Sequence, residues 1–136
     1  MIKVFEAFAG IGTQRMALER LGIEHDVVAI SEIDKHAVKS YEAIHGPVNN
    51  LGDITRIEVE DIPEHDLFTY SFPCQDISIA GYQRSLAKDS DTRSSLIWEC
   101  ERIIFNKRPK YLLMENVKNL VSKRHIEHFN NWLHVL

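Results

Sequence analysis

Four short apolar runs separated by amphipathic segments constrain the fold of this 136-residue chain more than any other feature. They are Ile2 to Phe8, Val27-Val28-Ala29-Ile30 within His25 to Ser31, Asp66 to Phe72, and Tyr111-Leu112-Leu113-Met114. A run such as Val27 to Ile30 is continuous rather than alternating, as in strands buried on both faces. Between the runs lie helical patterns. One covers about Thr13 to Leu21. A second starts behind Asp34 as N-cap and stops at Gly46-Pro47. In Ser95 to Asn106, Ile97, Cys100, Ile103 and Ile104 recur at helical spacing, and Ile126, Phe129, Leu133 and Leu136 fit one face of a last helix. A short extra strand is expected around Val48 to Leu51. Strands alternating with helices predict an α/β fold with a doubly wound, mostly parallel sheet in one domain.

No apolar run approaches the roughly 20 residues that span a bilayer, so no membrane segment is expected. The N-terminal MIKVFEAF reads as a strand rather than a signal peptide. The two cysteines, Cys74 and Cys100, form neither a disulfide framework nor zinc-ligand spacing, so no metal is expected. Reduced thiols in a cytoplasmic setting are the simplest reading. A net charge of −4 argues against a stand-alone nucleic-acid binder. The basic groups Arg84, Lys88 and Arg93, and Lys118, Lys123 and Arg124, read more readily as solvated surface.

In open parallel sheets, ligands bind outside the carboxyl ends of the strands. Gly10-x-Gly12 follows the first strand and permits close backbone approach to a ligand. Arg15 stands where a dinucleotide fingerprint needs its third glycine, so a pyrophosphate cradle is not expected. Glu32 ends the second strand, where an acid accepts hydrogen bonds from ribose hydroxyls. Asp53 follows the Val48 to Leu51 segment, in reach of an adenine amino group. Singly, each acid reads equally well as a surface charge or helix cap. In this order, each at a strand end, they favour an adenosyl ligand.

Cys74 follows Pro73 after the third long run, and Glu115-Asn116 follows the fourth. A thiol of pKa ~8.5 is a few per cent thiolate at neutral pH, yet that thiolate is strongly nucleophilic. By itself, Cys74 reads as a buried small hydrophobe at least as readily as a nucleophile. Cys100 lies on the apolar stripe of its helix and reads as core.

The segments Phe8-Ala9-Gly10-Ile11-Gly12, Glu32, Gly52-Asp53-Ile54, Pro73-Cys74-Gln75, Arg93-Ser94-Ser95-Leu96 and Glu115-Asn116-Val117 resemble, in order and approximate spacing, the cytosine-5 DNA methyltransferases. The resemblance covers nearly the whole chain. It implies a Rossmann-like, S-adenosylmethionine-dependent methyltransferase fold, with Phe8, Gly10, Ile11, Gly12, Glu32, Ile33, Asp53 and Ile54 on the cofactor side. It further implies that Cys74 thiolate adds to carbon-6 of a cytosine while Glu115 stabilises or protonates ring nitrogen-3. Carbon-5 then accepts the methyl group, loses its proton and releases Cys74. Such chemistry on double-stranded DNA requires the base to leave the stack. Pro73, Gln75, Ser78, Arg84, Arg93, Asn116 and Val117 become substrate-side candidates, with Pro73 to Asp91 as the loop that closes over the base.

The later glutamine-arginine motif, the target-recognition region and the final segment of that family have no counterpart here. The expectation is therefore the N-terminal part of the catalytic domain, truncated before the last strands: a truncated gene product, an engineered fragment, or one subunit of a split enzyme whose second chain carries the recognition region. Tyr111 to Met114 is expected to form an exposed apolar sheet edge, which also invites homo-oligomer formation. The alternatives are a non-catalytic cofactor-binding or oligomerising fragment, and methylation of transfer RNA.

Overall fold

The structure is a computed structural model and describes residues 1–73, 96–123 and 125–136. Four strands, β1 (Ile2–Ala7), β2 (His25–Ser31), β3 (Leu67–Tyr70) and β4 (Tyr111–Met114), form one sheet in the order β2-β1-β3-β4. Every pairing is parallel, with Val4 beside Leu67, Ala7 beside Ser31 and Tyr70, and Tyr70 beside Met114. Parallel neighbours need long crossovers. Helices α1 (Thr13–Arg20), α2 (Lys35–His45) and α3 (Ile97–Lys107) lie in those connections, and α4 (Ile126–Val135) follows β4.

The helix starts and stops follow local chemistry. The Asp34 side chain accepts from the His36 amide at 2.8 Å, capping α2. Gly46, at φ 85°, ends that helix with its amide on the Glu42 carbonyl. The expected strand at Val48 to Leu51 shrinks to one parallel bridge between Ile30 and Asn50. The Asn50 side chain accepts from the Gly52 amide two residues on and turns the chain away from the sheet.

Successive residues of β1 face opposite layers. Phe5 and Ala7 join Phe68, Tyr70, Ile97, Cys100, Ile103 and Trp132 in the larger core. Val4 packs with Leu18 of α1 and Leu67, while Ile30 and Ala9 pack with Tyr41 of α2. Phe5 and Phe68 stack with their ring centres 5.4 Å apart, and Phe68 and Tyr70 at 5.0 Å.

The last helix is rotated from its expected setting. Trp132 is the buried anchor, meeting Trp98 and Tyr70 edge-on at 5.8 and 6.2 Å, with Phe129 beside the same core. Leu133 and Leu136 stay about half exposed, at 52% and 49%. The indole removes more apolar area from water than a leucine does, so the helix turns that side inward. As expected, β4 shows an apolar edge: Tyr111 is 58% and Leu113 44% exposed. Among the described residues, no helix is long and apolar enough to cross a membrane.

Candidate cofactor pocket and active site

The chain leaves β1 for β2 in one direction across the sheet and later places β3 on the other flank of β1. The crevice at the carboxyl ends of β1 and β3 is therefore the topological switch point, where open α/β sheets bind ligands. A cavity of about 150 Å³ lies there. Phe8 comes from the end of β1; Ser31, Glu32 and Ile33 from the end of β2; Asp53 and Ile54 from the next loop; Pro73 follows β3, and Leu96 precedes α3.

Two acids shape the polar side. The Glu32 carboxylate accepts from the Gly10 amide at 2.8 Å through Oε2 and from the Asp34 amide at 2.9 Å through Oε1. Each oxygen keeps a second lone pair for a ligand hydroxyl. Asp53 Oδ1 accepts from the Thr55 hydroxyl at 2.8 Å and its amide at 3.0 Å. Those two bonds, the hydroxyl's first, hold the Asp53 carboxyl below the ordinary range. It stays an ionised acceptor. Oδ2 lies 3.8 Å from the Nε of Arg56, a loose and exposed contact.

Phe8 turns at φ 56°, in the left-handed region that costs a non-glycine residue about 1–2 kcal/mol. Its amide donates to the Ser31 carbonyl at 2.8 Å, which fixes the turn against β2. Gly10 (φ 56°) and Gly12 (φ 77°) complete the bend into α1. Ile11 and Gly12 do not line the cavity. Ile11 is 44% exposed, and Gly12 is buried against α2.

On the substrate side, the Glu115 amide donates to the Tyr70 carbonyl at 3.2 Å and extends the β3–β4 ladder to that acid. Glu115 is exposed and lies outside the cavity lining. Asn116 Nδ2 donates to the Phe72 carbonyl at 3.0 Å, while its Oδ1 accepts from the Val117 amide at 2.9 Å. One side chain thus ties the β4 end to the backbone just before Pro73. Val117 is 40% exposed. Cys74, Gln75, Ser78, Arg84 and Arg93 lie outside the described residues. Cys100 is fully buried, and burial first, then the Glu99 charge, push its thiol far above the ordinary range.

Asn50 and Ser31 were not among the residues expected from sequence. Asn50 accepts from the Glu32 amide at 3.1 Å and donates to its carbonyl at 3.0 Å. Ser31 Oγ donates to the Gly52 carbonyl at 2.7 Å. Together they lock the two acidic loops side by side. The only sequence signal is a turn-forming asparagine two residues before Gly52.

A model of the family described as C-5 cytosine-specific DNA methylase matches residues 2–136. The chain belongs to that family. The methyl donor of these enzymes is S-adenosylmethionine. The type II methyltransferase M2.ScrFI of Lactococcus lactis subsp. cremoris is 42% identical over 186 residues, covering 98% of this chain and 52% of the relative. The type II methyltransferase M.NlaX of Neisseria lactamica is 45% identical over 120 residues, covering 88% of this chain and 37% of the relative. The chain thus spans about half, or less, of these methyltransferases. The crystal structure of the S. pombe Dnmt2 methyltransferase superposes with a TM-score of 0.77 at 25% identity, over 98% of this chain and 42% of that one.

The cavity suits part of the methyl donor. At about 150 Å³ it is smaller than the ~300 Å³ or more of a drug-sized pocket. Its apolar wall of Phe8, Ile33, Ile54 and Leu96, with two carboxylates at the rim, matches a heterocycle bearing a hydroxylated sugar and an exocyclic amine.

Proposed function

We propose that the protein is the N-terminal catalytic portion of a DNA (cytosine-5-)-methyltransferase of the restriction-modification type, working in the cytoplasm. In this reading residues 1–136 form part of the S-adenosylmethionine-binding domain, and the target-recognition region lies on polypeptide outside them. One observation carries it: the switch-point cavity gathers Phe8, Glu32, Asp53 and Pro73, and Pro73 is bonded directly to Cys74.

The proposed roles follow from chemistry. Glu32 accepts from the ribose hydroxyls, Asp53 from the adenine amine, and Phe8 with Ile33 and Ile54 packs against the ring. The bound cofactor supplies an electrophilic methyl carbon. Cys74 thiolate adds to carbon-6 of a cytosine flipped from the duplex, breaking the aromatic conjugation that leaves carbon-5 a poor nucleophile. Glu115 holds a proton at nitrogen-3, so negative charge does not accumulate on the ring. After carbon-5 is methylated, its proton passes to solvent, the carbon-5–carbon-6 double bond re-forms as Cys74 leaves as thiolate, and the nitrogen-3 proton returns to Glu115. Gln75, Ser78, Arg84, Arg93 and Val117 are the DNA-side candidates, and Asn116 holds the Glu115 segment against the residues before Cys74.

The chain matches 52% and 37% of two relatives, and in this reading a further polypeptide supplies recognition. The exposed β4 edge is where such a chain, or a second copy, would pair. The test is labelled methyl transfer to duplex DNA and to transfer RNA, with and without the C-terminal half of the Lactococcus relative. Transfer to DNA only in the mixture is expected. Transfer by the chain alone at ordinary enzyme rates would remove the two-part reading, and labelling of transfer RNA would move the substrate to RNA. Cofactor binding without transfer in any arm would leave a binding module. In the active mixture, Cys74→Ser should abolish the covalent complex on 5-fluorocytosine DNA; a retained complex removes Cys74 from the mechanism.

A further inference from the structure

Helix α2 reaches under the turn that leads from β1 into α1. His45, with its side chain only 2% exposed, places Nε2 3.1 Å from the Ile11 carbonyl, a bond that requires the proton on that nitrogen. Its Nδ1 lies 3.6 Å from Glu19 Oε1 on α1. The ring packs on Tyr41 with centres 4.6 Å apart, and the Tyr41 hydroxyl donates to buried Glu6 of β1 at 2.7 Å. Arg15 of α1 lies 5.9 Å from the centre of the Tyr41 ring and bonds Glu19 at 3.2 Å.

Gly12 shows how closely the parts fit. A Cβ there would stand 2.6 Å from His45 Nε2 and 2.7 Å from Tyr41 Cε2. Two residues earlier, the Gly10 amide donates to Glu32 in the cavity. The connection is continuous: His45 to the Ile11 carbonyl, through the backbone to the Gly10 amide, and on to the Glu32 carboxylate. Neither His45 nor Tyr41 lines the cavity.

We infer that His45, seated on Tyr41, is a positioning residue that clamps the Gly10–Gly12 turn and thereby sets the Glu32 carboxylate for its ligand. The inference rests on the proposed cofactor pocket, but the clamp can be read without cofactor. S-adenosylmethionine affinity is measured by calorimetry for the wild type, His45→Ala, His45→Gln and Leu67→Val. Leu67→Val thins the core beside Val4 and Leu18, away from the turn. Amide exchange at Gly10 and Gly12 is followed by NMR in the same proteins without cofactor.

His45→Ala should weaken binding about tenfold, equivalent to ~1.4 kcal/mol, and speed exchange at both glycines. His45→Gln, whose amide can donate to the Ile11 carbonyl, should recover most of both effects. Leu67→Val should lower Tm and leave the dissociation constant unchanged. A folded His45→Ala with wild-type exchange at Gly10 and Gly12 overturns the clamp. So does equal loss of affinity in Leu67→Val, which would make the effect general destabilisation. A wild type that binds no S-adenosylmethionine removes the cofactor reading instead, and the exchange data still decide whether the clamp exists.

Discussion

Alanine at Gly12 and at Gly10 separates backbone strain from packing in the turn beneath the pocket. Both glycines have positive φ, 77° and 56°, so either substitution places an alanine in the left-handed region at about 1–2 kcal/mol. The surroundings differ. A Cβ at Gly10 meets nothing within 4 Å, whereas one at Gly12 falls 2.6 Å from His45 Nε2 and 2.7 Å from Tyr41 Cε2. Both rings are held, so the chain must shift at an overpacking cost of about 1–3 kcal/mol. If His45 leaves the Ile11 carbonyl, a further ~0.5–1.5 kcal/mol goes with that bond. Gly12→Ala should therefore cost roughly 1.5–4.5 kcal/mol more than Gly10→Ala. For a domain of this size that is a Tm difference on the order of 10 °C. Urea titrations followed by circular dichroism measure both variants. Adding His45→Ala to Gly12→Ala should recover part of the loss, because the ring nearest the new methyl is gone. If the two single variants cost the same within about 0.5 kcal/mol, the packing argument fails.

Burial raises the Glu6 carboxyl above its ordinary range, against the opposing Tyr41 hydrogen bond and the Arg15 and His45 charges. The unfolded chain releases that proton first as pH rises, so Glu6 favours the fold below its ordinary pKa and loses that contribution through its raised folded value. Glu6→Gln keeps an acceptor for Tyr41 without a charge. Its Tm should match wild type below the ordinary carboxyl range, exceed it increasingly as pH rises through the raised folded value, and keep a constant lead above that; a constant offset across the whole range of thermal melts would refute the titration. Cys100 is fully buried with its thiol pushed up. In Cys74→Ser, native protein should react with a thiol reagent orders of magnitude more slowly than in guanidinium, and prompt native labelling would contradict its burial.

Elements resting on local chemistry were legible in the sequence. β4 spans Tyr111 to Met114 as read, and α2 begins behind Asp34 and ends at Gly46 because the cap and the stop act on the nearest backbone groups. The Val48 to Leu51 segment was not legible: its apolar ends look like a strand, but Asn50 spends its side chain on Glu32 and Gly52. The buried side of α4 was hidden too. Phe129 fits a stripe with either Trp132 or Leu133, and only contact with Trp98 and Tyr70 selects the indole.

The site divides along the same line. The order of Gly10-x-Gly12, Glu32, Asp53, Pro73-Cys74 and Glu115-Asn116, each following a strand or turn, was enough to recognise the family. That order is a property of the chain, and the period of two or 3.6 residues is set by sterics within a few peptide units. Which strand ends become neighbours is not local. Placing β3 beside β1 opens the crevice that brings Phe8, Asp53 and Pro73 to one cavity, through long-range burial of Phe5, Phe68 and Ile103. The same packing sets Tyr41 and His45 beneath a turn some thirty residues earlier in the sequence. No local pattern encodes that contact; it exists only once α1 and α2 share a face of the sheet.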